Sequence, residues 1–268
     1  MGTYRSLAAI TAVYNEDDLL PQFLRHYGKE CDAIFVMDNE STSKSATSVV
    51  LEYTSRNLEH SSPYIKVDSF STNGRFDTVA KQEALMDVKE KAVGKFDYVM
   101  ILDCDEFIVA RDGKPIRSHL GDEPIYPTQG INLYEYPWDP PYDPRRPLIA
   151  QRRRGIHNPH YSKPVIVKPE HPVNYSPGCH FATGSPHLTA DSDKTPFLLL
   201  HMRGAVKDIY LKRALDRTSR VDAGNPVDGH VGGGYYAGGN LMSFELKYVY
   251  ESVHGKPFTV PDNIGREE

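Results

Sequence analysis

Disulfides do not organise this chain. Its three cysteines, Cys31, Cys104 and Cys179, are odd in number and far apart, which argues against a disulfide framework and for a reducing compartment. Long apolar runs are missing too. Runs such as Leu7–Tyr14 and Phe197–Leu200 fall far short of a membrane span. Leu7–Tyr14 also runs into Asn15-Glu16-Asp17-Asp18, which no signal peptide does. Neither sign of charge dominates, with 31 Lys+Arg against 36 Asp+Glu, so bulk electrostatics give no footing for nucleic-acid binding. Internal repeats are absent. The turn after the first apolar run lacks both G-x-G-x-x-G and G-x-x-x-x-G-K-[ST], leaving neither a dinucleotide fingerprint nor a P-loop.

What is present centres on one stretch. Tyr98 to Leu102 reads as a buried strand, and it ends in Asp103, Asp105 and Glu106. Unpaired charge at the end of a core strand is expensive. A divalent cation compensates it cheaply, and hard oxygen ligands suit Mg²⁺ or Mn²⁺. Taken alone, an Asp-x-Asp pattern is equally a solvated loop entry.

The 268 residues are enough for one domain with a full core. Four apolar runs alternate with helical patterns: Ser6–Tyr14, Ala33–Met37, Ile65–Val67 and Tyr98–Leu102. The first helix should end at Gly28, the second should be capped by Ser41-Thr42-Ser43, and the third should run from Thr78 to about Val93. This βαβαβαβ order predicts a mostly parallel sheet flanked by helices. Right-handed crossovers would collect the strand carboxyl ends on one edge, where ligands bind in such sheets.

Beyond Asp105 the pattern changes. Gly130–Trp138 reads as a strand with an aromatic end, and Asp139–Pro147 as irregular. Arg152-Arg153-Arg154 reads as a solvated basic cluster. Val165–Val167 and Phe197–Leu200 read as strands, Val206–Arg220 and Leu241–Val253 as helices, and Gly224–Gly239 as a lid or a surface linker.

The ordered set Ala12-Val13-Tyr14-Asn15-Glu16, Asp38-Asn39-Glu40-Ser41 and Asp103-Cys104-Asp105-Glu106-Phe107 resembles the family 2-like glycosyltransferases of GT-A fold, in a branch similar to family 92-like enzymes. Lys163–Pro169 and Leu199–Met202 extend the match, which spans roughly residues 6 to 215. The resemblance implies a single GT-A-like, Rossmann-related α/β domain. Its residues 1–110 would form the nucleotide-sugar half and residues 111–268 the acceptor half.

It further implies metal-dependent transfer of a sugar from a UDP-linked donor to a glycan or lipid-linked hydroxyl, with inversion. Mn²⁺ or Mg²⁺ would be held by Asp103, Asp105 and His201. Asp38 would bind the uracil or ribose, or else cap a turn. Glu16 would reach the ribose, Tyr14 and the backbone of Ala12 would form the base pocket, and Asp103 and Cys104 would also contact the nucleotide. Arg75 and Gln82 would be further nucleotide contacts. Trp138 would stack on the acceptor sugar or lie in the core. Asp139 is the first candidate for the general base, followed by Asp191 and Glu135, and His180 could also face the site. The expected location is cytoplasmic, with peripheral membrane contact. Two alternatives stand beside this reading: a haloacid dehalogenase-like phosphatase with Asp103 as nucleophile, and a non-catalytic nucleotide-sugar binding module.

Overall fold

The computed structural model describes residues 4–57, 63–176, 182, 195–222 and 239–265. The expected alternation is realised as β1 (Leu7–Val13), α1 (Leu20–Glu30), β2 (Ala33–Asp38), α2 (Ala46–Asn57), β3 (Tyr64–Ser69), α3 (Thr78–Lys91) and β4 (Tyr98–Asp103). β1 pairs in parallel with β2 and β4, and β2 with β3. The continuous apolar runs of β1 and β4 are buried along both faces, as a central parallel strand requires. Two short strands, β6 (Ile125–Tyr126) and β9 (Ile166–Val167), complete the order β3-β2-β1-β4-β9-β6, with β9 antiparallel to β4.

A second sheet begins where the acidic turn ends. It contains β5 (Glu106–Ala110), β7 (Gln129–Tyr134), β8 (Arg154–His157), β10 (Phe197–Gly204) and β11 (Pro257–Thr259), in the order β11-β8-β7-β10-β5. The chain leaves the first sheet at Asp103 and enters the second at Glu106. Asp103-Cys104-Asp105 is therefore the hinge between them. The fold is mixed α/β, with three further α-helices among the described residues: α4 (Leu148–Gln151), α5 (Lys207–Asp222) and α6 (Leu241–Val253).

β5 is an edge strand, and α1 covers its free edge. Tyr27 Oη accepts from Ile108 N at 2.8 Å and donates to the Glu106 carbonyl at 3.0 Å, while His26 Nε2 lies 2.8 Å from the Ile108 carbonyl. Such cover keeps an edge from recruiting other strands. Burial pushes His26 down to about 4 from 6.5. The unfolded chain thus binds this proton more tightly, and His26's contribution to stability is lost as pH falls from 6.5 toward 4. We expect His26→Gln to remove about 2 kcal/mol of the loss between pH 6.5 and 5, read as the difference between variant and wild type in urea midpoints. Parallel pH profiles would refute it.

Several local expectations are corrected. α1 runs past Gly28 to Glu30; Gly28 is a contact point, where a Cβ would lie 3.3 Å from the Tyr53 hydroxyl of α2. Ser41, Thr42 and Ser43 do not cap α2, which starts at Ala46 with its N–H on Asp38 Oδ2 at 2.9 Å. Arg152 is not solvated but fully buried: it donates to the Ala205 carbonyl at 2.7 Å and pairs with Glu135 at 2.9 Å. Trp138 is 65% exposed and so is not a core residue.

Candidate active site

A cleft opens at the carboxyl edge of the parallel strands. Ala12 to Glu16 line it from the end of β1, Asp103 and Cys104 from the end of β4, Lys81 from α3, and Lys212, Arg213, Asp216, Arg217 and Arg220 from α5. Left-handed backbone marks its rim at Asn15 (φ 54°), Glu40 (φ 55°) and Asn73 (φ 53°), one residue in each loop after β1, β2 and β3. Strained backbone of this kind concentrates at functional sites. Asn15 Oδ1 accepts from Thr42 N at 2.8 Å and Ser43 N at 3.0 Å, tying the first two loops together.

Each acid of the hinge has a cation beside it. Lys81 Nζ meets Asp103 Oδ1 at 2.7 Å. Arg213 Nη1 meets Asp105 Oδ2 at 2.6 Å, and the same guanidinium reaches Glu16 Oε1 through Nη2 at 2.8 Å and Nε at 2.9 Å. Burial raises the Glu16 carboxyl, with Arg213 opposing. At Asp105 burial acts in the same direction, but Arg213 and then His201 outweigh it and hold the carboxyl well below its usual range. Asp103 is likewise depressed, against its burial, by Lys81 and Lys163. Buried Cys104 has its thiol pushed up by burial, so it stays protonated as part of the cleft wall.

A second ring of contacts fixes the hinge from behind. Glu106 and Lys163 form an ion pair, 0% and 1% exposed at their side chains, and Glu106 Oε2 accepts from Asp103 N at 3.0 Å. Register brings His201 opposite Glu106 across the β10–β5 pairing. Its Nε2 lies 3.4 Å from Asp105 Oδ2, its Nδ1 3.0 Å from Asn132 Oδ1, and its ring stacks on Tyr161 at 3.7 Å. Burial pushes His201 down to about 4, against the pull of Asp105, so at neutral pH the imidazole is uncharged.

The cleft thus gathers Ala12, Tyr14, Glu16, Asp103 and Cys104, with Asp105 and His201 buried beneath. It does not gather the other expected residues. Asp38 is turned inward: its carboxylate accepts from Ser41 N at 3.0 Å, Ser41 Oγ at 2.7 Å and Ala46 N at 2.9 Å, which is the turn-capping alternative. Arg75 is exposed, and its carbonyl, not its guanidinium, enters the site's hydrogen bonding, accepting from Arg220 Nη2 at 2.6 Å. Gln82 donates to the Tyr175 carbonyl at 2.7 Å. Asp139 is held by Arg154 at 2.6 Å and by Tyr136 N at 2.8 Å, away from the cleft lining. Glu135 accepts from Lys207 N at 2.8 Å at the start of α5. His180, Asp191 and the Gly224–Gly239 segment up to residue 238 lie outside the described residues.

The residues that sequence reasoning missed are the cations. Arg213, Arg217 and Arg220 stand at i, i+4 and i+7 on α5, one helical face, and that spacing is readable in the sequence. Arg220 lies over the Tyr14 ring at 3.7 Å.

Among the described residues no group of three or more His, Cys, Asp or Glu forms a closed metal site. A cation carried with a diphosphate needs fewer protein ligands, since phosphate oxygens and water supply the rest. Asp105 and His201 fit that demand. The Asn132 amide oxygen, 3.0 Å from Nδ1, fixes the His201 ring, the way a ligating histidine is held by its other nitrogen.

No family model and no curated protein matches the chain. Among solved structures, S. aureus TarS 1–349 is similar at a TM-score of 0.40 and 12% identity, over 84% of this chain and 68% of that one. The same TarS segment in complex with UDP-GlcNAc gives 0.36 and 14%, over 84% and 69%. WbbM, a bifunctional glycosyltransferase, gives 0.29 and 15% over 47% of this chain and 23% of its own. Similarities this distant leave the function to be argued from the cleft.

Proposed function

We propose that the protein is a glycosyltransferase that takes a sugar from a nucleoside diphosphate donor, UDP-linked, and passes it to a hydroxyl acceptor. The observation that carries this is the meeting of the α5 arginine face and Lys81 with the Asp103-Cys104-Asp105 hinge, at the carboxyl ends of β1 and β4. Breaking a sugar–diphosphate bond loads negative charge on the leaving group, and fixed cations in a partly dry cleft stabilise that charge as it develops. Arg213, Arg217 and Lys212 serve this role in our reading. The Tyr14 ring, backed by Arg220, offers a flat face for the base.

Asp105 and His201, with Asp103 beside them in the turn, would hold a Mn²⁺ or Mg²⁺ ion. Such an ion supplies further neutralisation of the diphosphate. Asp216, on the cleft wall and bonded to the neutral Asn15 amide at 3.3 Å, replaces Asp139 as the candidate to receive the acceptor's proton if the reaction inverts. The phosphatase alternative draws no support from the geometry. Its nucleophile, Asp103, would have to attack from the end of a fourth strand while paired with Lys81.

Calorimetric titration with UDP tests the reading. We expect a dissociation constant below about 1 mM, tightened by Mn²⁺ and weakened by a chelator. Absence of binding at millimolar UDP and GDP, with and without Mn²⁺, defeats it.

A further inference from the structure

Helix α6 is apolar on two faces. Phe244 and Tyr248 are buried against α5. The opposite face carries Met242, Leu246, Val249 and Val253, at spacings of four, three and four, with Tyr250 beside them. Met242 is 72% exposed, Leu246 67% and Val253 63%. Six of the thirteen large apolar side chains exposed among the described residues sit on this one helix. A helix apolar on both faces belongs in a buried setting, so its outer face calls for a partner.

The surroundings say which partner. At the carboxyl end of α6, Tyr136 Oη donates to the Ser252 carbonyl at 3.1 Å, and Trp138 stacks on Tyr136 at 5.3 Å. Arg154 lies over both rings, 5.4 Å from the centre of Trp138 and 5.9 Å from that of Tyr136. The carboxyl end of the helix is therefore flanked by an exposed indole, a half-buried phenol and a guanidinium. Rings with one apolar body and one polar edge gather where hydrocarbon meets headgroups; Arg154, paired with Asp139 at 2.6 Å, holds the two rings in place.

A second copy of the chain is the weaker fit. The helix has 13 residues and is about 20 Å long. Two such strips would bury well under the ~800 Å² per partner of a standard interface. A bilayer sets no such minimum, because each inserted side chain adds its own transfer free energy.

We propose that α6 and Trp138 seat the protein on a phospholipid surface, with the helix lying in the interfacial plane. The polar residues of α6, Lys247 and Glu251 on one flank and Glu245 on the other, paired with Lys207, add no net positive charge, so apolar insertion drives the contact and salt weakens it little. α5 packs between this surface and the cleft, and it carries the arginine face. Docking would bring the cleft to the membrane, where an acceptor hydroxyl on a lipid-linked glycan is presented. That last step rests on the transferase reading; the docking does not.

The lone tryptophan is a built-in probe. The full chain is mixed, without nucleotide, with phosphatidylcholine vesicles and with vesicles that also contain phosphatidylglycerol. We expect a blue shift of Trp138 emission and co-sedimentation with both. A Met242→Gln, Leu246→Gln, Val249→Thr variant should bind about tenfold more weakly or worse, with circular dichroism and UDP affinity unchanged. No shift and no co-sedimentation of the wild type overturns the proposal. So does equal binding by the variant, or a dimer in sedimentation velocity that the variant abolishes. UDP binding is read separately, so failure on vesicles and failure of the transferase reading are distinguishable.

Discussion

Replacing Arg213 by methionine is expected to weaken UDP binding by about two orders of magnitude and to lower stability by about 3 kcal/mol. Both effects come from one guanidinium. It stands between Glu16 and Asp105, whose side chains are 8% and 2% exposed, and it lines the cleft where the diphosphate would lie. Methionine fills similar volume but leaves two buried carboxylates facing each other without their shared cation. Asp105 keeps His201 at 3.4 Å, so part of the deficit is recovered by a proton on that imidazole. His201, held near 4 in the wild type, should titrate upward in the variant, which histidine NMR would detect. Arg213→Lys should restore stability in part but binding poorly, because one ammonium cannot fork to two acids and still reach a phosphate. A folded Arg213→Met protein with undiminished UDP affinity would remove α5 from the proposed donor site.

How much of this was legible in the sequence depends on the kind of signal. β1, β2 and β4 are continuous apolar runs, as strands buried between two helix layers require. The hinge was legible because Asp103, Asp105 and Glu106 end such a run abruptly. Asp38 misled because an acid at a strand end serves a ligand and a turn equally well, and only the positions of Ser41 N and Ala46 N decide between them. Asp139 misled for a similar reason: Arg154, fifteen residues away, occupies it. The second sheet was readable only in part, at β7 and β10. β8 and β11 are four and three residues long, too short for periodicity, and Arg152 looked solvated beside two other arginines. The α5 arginine face was readable at helical spacing, but a basic helix face means little until the topology shows what lies opposite.

Lys163→Met should cost about 4 kcal/mol at pH 8, the second large effect expected here. Lys163 and Glu106 are the most deeply buried ion pair in the described structure, 1% and 0% exposed at their side chains. Burial depresses the Lys163 ammonium, but Glu106 and then Asp103 outweigh it and raise the group above its ordinary value, so the lysine stays charged. Burial lifts Glu106 to about 7 even with Lys163 opposing it; without the lysine the carboxyl rises further. An acid whose folded value lies above its unfolded one carries its full penalty at pH above the folded value, and sheds it as pH falls toward 4.5. The gap between Lys163→Met and wild type should therefore be widest above neutrality and narrow steadily in acid. A Lys163→Met, Glu106→Gln double variant should recover most of the loss, since removing both charges of a buried pair costs far less than removing one. It should also keep UDP binding, because glutamine can still accept from Asp103 N and hold the hinge. Glu106→Leu in the same background cannot, and should lose binding while remaining folded. Denaturant titrations across pH, with UDP calorimetry on the three proteins, separate the two roles of Glu106. If the leucine variant binds as well as the glutamine one, the hinge does not depend on that hydrogen bond.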